Sequence, residues 1–169
     1  MEPQLFWGSK PVVEKFNKVK NENTIVGDMV MATRPKPIGG LWTSTYDAKN
    51  NSSDWITWCK HQNHRSCKKS HPTLKKWLLE PTTYKVLTIN SHTDLDALVQ
   101  NYSGIPEGKR RLGVSLLLDF EAMSKDFDAI HLTKEGEHKT RFSFPNSLYG
   151  WDCECVLWLN WCFNAVKEV

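Results

Sequence analysis

Apolar and polar side chains follow a period of two through Tyr149-Gly150-Trp151-Asp152-Cys153-Glu154-Cys155-Val156-Leu157-Trp158-Leu159-Asn160-Trp161. That period is the signature of a strand. One face gathers Cys153, Cys155, Leu157, Leu159 and Trp161, and the other Asp152, Glu154, Val156, Trp158 and Asn160. Shorter runs predict strands over 24–32, 41–45, 84–90 and 128–133, with Gly136 marking a turn and 140–144 pairing back. Helical spacing of Val12, Val13, Phe16 and Val19 predicts a short amphipathic helix within 10–23. Asn51-Ser52-Ser53-Asp54 caps a second helix running to about residue 64, with Trp55, Ile56 and Cys59 turned inward. A third runs over 91–102, capped by Ser91 or Thr93 and carrying Leu95, Leu98 and Val99 on one face. Asp119 and Glu121 read as a helix N-terminus. Strands and helices mix without regular alternation, which predicts an α+β fold, a mixed or antiparallel sheet with a few flanking helices.

At 169 residues the expectation is a single domain over 1–169, with 1–23 as a peripheral N-terminal helix or arm. The net charge of +3 permits an anionic partner without demanding one. Eight tryptophans exceed what a core of this size needs, and tryptophan also stacks on bases, nicotinamide and sugar faces. Five cysteines fit no secreted disulfide framework, and no signal-peptide pattern or long apolar run is present. The chain is therefore read as cytoplasmic, with no membrane partner. Nothing in it fixes an oligomeric state.

Asp152 and Glu154 are the foremost catalytic candidates. Carboxylates are poor strand residues, yet these two share a face between tryptophans. Desolvation there is expected to raise at least one pKa, and mutual repulsion to split the pair. Such a site supplies an acid, a base, or a carboxylate facing a developing cation. An edge strand with water-facing carboxylates is the plainer alternative. The second candidate segment is Arg34-Pro35-Lys36-Pro37-Ile38-Gly39-Gly40-Leu41-Trp42-Thr43-Ser44-Thr45. Gly39 and Gly40 allow backbone N–H groups close to a phosphate, Arg34 and Lys36 add charge, Trp42 a stacking surface, and Thr43, Ser44 and Thr45 hydroxyls. An ordinary loop with a core tryptophan explains it equally well. Walker and dinucleotide-fold glycine motifs are absent, as is a nucleophile elbow.

Cys59, His61, His64, Cys67 and His71 have zinc-ligand chemistry but no common zinc spacing, and lysines and arginine interleave them. No metal is expected. The basic segment 60–76 suits nucleic-acid phosphates better, or is a solvated helix end. His131 alternates with Ile130 and Leu132 and reads as a satisfied face residue.

Taken together, a strand-borne carboxylate, an arginine, a Thr-Ser-Thr segment and aromatic surfaces suit attack on an N-glycosidic bond. On Arg34, Thr43-Ser44-Thr45 and Asp152-Cys153-Glu154, the chain resembles the ADP-ribosyltransferase superfamily in its arginine-serine-glutamate form. The resemblance covers about a dozen residues. It departs in the short Arg34-to-Ser44 spacing and in aspartate at the first acid. It implies NAD as substrate, Glu154 holding the nicotinamide ribose hydroxyl and favouring the oxocarbenium, Asp152 positioning the acceptor, and Arg34 contacting NAD phosphate. A glycosylase releasing a base from DNA or a nucleotide would use the same carboxylate, with Trp42, Tyr149, Trp151 and Trp158 as stacking surfaces. A third reading is a non-enzymatic nucleic-acid or nucleotide binder, with the two acids solvated or paired to Arg141 or Lys139.

Overall fold

The computed structural model describes residues 1–32, 36–62, 74–112 and 116–169. The described residues form an α+β arrangement of ten strands and four α-helices. The strands are β1 (Gln4–Gly8), β2 (Asn23–Val26), β3 (Met29–Ala32), β4 (Leu41–Thr45), β5 (Lys75–Pro81), β6 (Val86–Ile89), β7 (Arg110–Arg111), β8 (Ala129–Leu132), β9 (Cys155–Trp158) and β10 (Phe163–Glu168). The helices are α1 (Asp54–His61), α2 (His92–Asn101), α3 (Phe120–Asp126) and α4 (Lys134–Thr140). Seven strands form one sheet in the order β10-β5-β1-β4-β9-β8-β6, and β2-β3-β7 form a small second sheet. In the large sheet β6 and β8 run parallel and the other neighbours antiparallel. No helix among the described residues is long and apolar enough to cross a membrane.

Side-chain caps start all four helices. Ser53, Ser91, Asp119 and Thr133 each accept a hydrogen bond from the backbone N–H three residues on, satisfying a donor that the first turn leaves without a partner. The predicted helices at α1 and α2 and the acidic helix start at α3 are thus present.

Elsewhere tertiary contacts override the local pattern. The 24–32 run is a hairpin, because Gly27 (φ 61°) turns β2 back onto β3. Within 10–23 only Val13–Lys15 coils, as a single 3-10 turn. Its neighbours pair instead with the 38–40 segment through Lys20, Ile38, Asn17 and Gly40, leaving Val19 buried. Gly136 lies inside α4 rather than at a turn. A Cβ there would sit 2.0 Å from the carbonyl oxygen of Ile89, so glycine is what lets α4 pack on the end of β6. Thr140 closes α4, its hydroxyl donating to Gly136 O at 2.7 Å, and 141–144 form no strand. Lys75 and Lys76, at the end of the basic segment 60–76, open β5, where Trp77 and Leu79 are buried.

All four residues of β9 are buried. Cys155 and Leu157 join Ile130, Leu132 and Trp151 on one side of the sheet, while Val156 and Trp158 join Trp77, Leu79 and Phe163 on the other. The strand is therefore central with a core on both faces. The expected contrast between an apolar and an acidic face holds only at its N-terminal approach, at Glu154.

Candidate functional site

The register of the sheet fixes what surrounds Glu154. Thr43 pairs with Val156 on one side of β9 and His131 with Val156 on the other. Residues directly opposite share a face, and diagonal neighbours remain within reach of long side chains. Two residues before Val156, Glu154 therefore turns to the face shared by His131 and Thr45.

Four contacts saturate its carboxylate. Ser44 Oγ donates to Oε2 at 2.7 Å and Thr45 N–H to the same oxygen at 3.0 Å. Thr45 Oγ1 donates to Oε1 at 2.8 Å, and His131 Nε2 lies 2.9 Å from that oxygen. Only 8% of Glu154 is exposed. Burial pushes its carboxyl upward, as the sequence suggested, but the bonds from His131, Ser44 and Thr45 outweigh it and hold the pKa below the usual glutamate value. The expected rise does not survive at Glu154. The same bonds favour its ionised form and fix its orientation.

It forms part of the floor of a groove between α1 and α4. One cavity of about 1170 Å³ is lined by Thr45, Asp54, His61, His131, Lys134 and Glu154, among others. A second, of about 500 Å³, shares Asp54, His61, Lys134 and Glu154 and extends to Glu137, Arg141 and Phe142. The two therefore meet at Glu154. Along the walls Lys134 approaches Asp54 at 3.4 Å, and Arg141 pairs with Glu137 at 3.0 Å and Asp152 at 3.2 Å.

The other candidates divide. Asp152 borders the second cavity, where the Arg141 guanidinium holds it. Ser44 and Thr45 reach Glu154, whereas buried Thr43 donates to Gln4 Oε1 at 2.8 Å and accepts from the Trp158 indole at 2.9 Å. Trp42 packs edge-on against Trp151 with ring centroids 4.7 Å apart, and Lys36 Nζ lies 4.9 Å from its ring centre. It lines a third cavity of about 250 Å³ with Trp55, Cys153 and Cys155, which shares Asp152 and Cys153 with the second. Burial pushes the Cys153 thiol up to about 12, so it is no nucleophile at neutral pH.

Gly40 has a packing role. At φ 68°, a Cβ would stand 2.7 Å from Leu157 Cδ1 and 2.9 Å from Trp158 O, and the Gly40 N–H is bonded to Asn17 O. Gly39 has the same constraint against Lys18 O. Tyr149 is exposed and leans on Phe142, not on Glu154. Arg34 lies outside the described residues, as do His64, Cys67 and His71 and most of the basic segment. Cys59 is buried and disulfide-bonded. His61 lines the groove.

Sequence reasoning missed His131 as a partner of Glu154. The available signal was one polar residue interrupting an apolar strand, in the same way that Glu154 interrupts Cys153 and Cys155. No family model, curated protein or solved structure matches the chain.

Proposed function

We propose that the protein cleaves an N-glycosidic bond, with ADP-ribosyl transfer from NAD as the foremost reading. The observation that carries this is Glu154, ionised and fixed by Ser44, Thr45 and His131 on the floor of an open groove. A carboxylate held below its usual pKa is a poor general acid. It suits a reaction in which positive charge develops on a sugar, because a preorganised anion stabilises the transition state without reorganising. In the proposed step the bond from ribose C1′ to the nicotinamide nitrogen breaks and its electron pair leaves with neutral nicotinamide. The oxocarbenium carbon then bonds to an acceptor oxygen or nitrogen. The acceptor loses one proton; because His131 Nε2 is engaged as donor to Glu154 Oε1, only the other ring nitrogen of His131 is left to take it.

The resemblance to arginine-serine-glutamate ADP-ribosyltransferases supports the same assignment through Ser44, Thr45 and Glu154, and gives Asp152 the acceptor side. Excision of a base from DNA or a nucleotide would use the same carboxylate and is the second reading.

The test is mass spectrometry of small-molecule products after incubation with NAD, with and without DNA, using wild type and Glu154→Gln. Nicotinamide released by wild type and absent with the variant is the expected result. Free base released only from DNA would replace transfer by excision. No product under any condition refutes both.

A further inference from the structure

The loop between α4 and β9 displays aromatic rings that the fold does not use. Phe142 is 79% exposed, Phe144 90% and Tyr149 63%. Three large rings open to water within eight residues form the kind of patch that marks a binding surface.

The loop carrying them is firmly tied. Ser143 Oγ lies within hydrogen-bonding reach of Thr140 O and Asn146 O, and Ser147 Oγ donates to Arg141 O at 2.6 Å. Leu148 N–H returns to Thr140 O at 3.0 Å, with the Leu148 side chain buried beneath. From outside, Asn146 Nδ2 donates to Asp96 at 2.9 Å and Arg111 Nη2 to Pro145 O at 3.0 Å. A segment this well anchored could have turned its rings inward. Holding them outward lowers the ordering cost of whatever binds there.

The surroundings narrow the occupant. The Arg141 guanidinium carbon sits 5.5 Å from the Phe142 ring centre, with its charge already shared by Glu137 and Asp152, so phosphate binding at the loop falls to Arg111. Arg111 directs its hydrogen bonds to the neutral oxygens of Pro145 and Asn146. Along the chain between the rings lie Ser143, Pro145, Asn146, Ser147 and Leu148, of which only Leu148 is buried in the core. Aromatic faces interleaved with guanidinium charge hold unpaired bases and their phosphates, whereas a duplex hides its base faces within the stack. Phe142 also lines the cavity that ends at Glu154, so a strand lying on the loop enters the groove at its Arg141 end.

We infer that the Phe142–Phe144–Tyr149 face is a stacking platform for single-stranded nucleic acid, and that the acceptor of the proposed transfer is a group on an unpaired nucleotide. The acceptor assignment rests on the proposed function. The platform does not.

The test is therefore run without NAD. Fluorescence anisotropy measures binding of a labelled short mixed-sequence single strand, the matching duplex, and an abasic strand of equal length. The proteins are wild type, Phe144→Ala, the Phe142→Ala/Tyr149→Ala double variant, and Phe144→Trp as the conservative replacement. Thermal unfolding of each variant checks that the fold is kept, which the exposure of these rings favours. The single strand is expected to bind more tightly than the duplex or the abasic strand. Each alanine should weaken it, by roughly five- to a hundredfold per ring engaged, and tryptophan should restore it. Equal binding of abasic and normal strands, preference for duplex, or affinity indifferent to ring removal in folded variants would overturn the platform. Capture of a protein substrate with no oligonucleotide binding would overturn it equally. A separate incubation of wild type with NAD and the same strand tests the acceptor: nicotinamide released with no ADP-ribose on the strand would overturn it, whereas no nicotinamide release refutes the proposed function and leaves the platform standing.

Discussion

Replacing Ser44 by alanine probes the anchoring of Glu154 at one atom. Ser44 is fully buried, and its hydroxyl donates to Glu154 Oε2 at 2.7 Å while accepting a longer bond, 3.4 Å, from the Trp55 N–H at the start of α1. Hydrogen bonds to ionised groups contribute about 1.5–3 kcal/mol. The variant does not orphan the carboxylate, because Thr45 N–H still serves Oε2 and Thr45 Oγ1 and His131 still serve Oε1. The Trp55 N–H, in the first turn of α1, loses only a long bond. The expected destabilisation is therefore about 2 kcal/mol near neutral pH, a fall of roughly 4–8 °C in Tm for a chain of this length.

The pH dependence separates this account from simple loss of packing. Glu154 has a pKa depressed by folding, so its ionised form contributes stability above the unfolded glutamate pKa of about 4.3. That contribution is lost as pH falls through the lower folded-state value. Ser44→Ala raises the folded pKa toward the unfolded one, so wild type and variant differ most at neutral pH and converge in acid. Urea unfolding at neutral pH and at successive steps below about pH 4 measures the difference directly. An undiminished difference in acid would mean that Ser44 acts through shape alone. No difference at neutral pH would refute the idea that the carboxylate depends on this donor.

Gly40→Ala should destabilise by at least about 1–2 kcal/mol, because a side chain at φ 68° is strained and its Cβ would meet Leu157 and Trp158 at under 3 Å; chemical unfolding checks it, and a neutral result would remove the packing explanation for this glycine. Asp152→Asn should alter stability by less than about 1 kcal/mol, because the partly exposed pair with Arg141 is screened by solvent. If Asp152 positions the acceptor, product formation with acceptor present should fall while nicotinamide release by hydrolysis is kept, and a parallel fall of both would assign it to the carboxylate site itself.

The sequence made the local half of this structure legible. Period-two alternation marked β4, β6, β8 and β9, and side-chain caps marked α1 and α2, because those signals are written in neighbouring residues. The 24–32 run carried its own hairpin signal in Gly27-Asp28, but its apolar character concealed the break. What was illegible was set by partners far along the chain. The 10–23 segment pairs with residues near Ile38 instead of coiling, and Gly136 serves the contact of α4 with Ile89 rather than a turn.

The same division explains the site. Two acids on one face of a strand, between tryptophans, drew attention to Glu154, but a strand read alone cannot say what lies beside it. Desolvation was the only influence visible, and it argues for a raised pKa. The register of β4 and β8 against β9 adds two hydroxyls, a backbone N–H and an imidazole, all within 3.0 Å, and these reverse the sign. The reversal changes the chemistry, not merely a value. A carboxyl pushed up would be suited to protonate a leaving group, whereas one held down is suited to offer charge to a developing cation. Nicotinamide leaves a cationic pyridinium as a neutral molecule and needs no such proton. An unmodified nucleobase leaves more readily when protonated, so excision would call for an acid that Glu154 does not supply. The depressed pKa thus favours a substrate whose leaving group is activated before it binds, and that is the physical ground for placing NAD ahead of base excision.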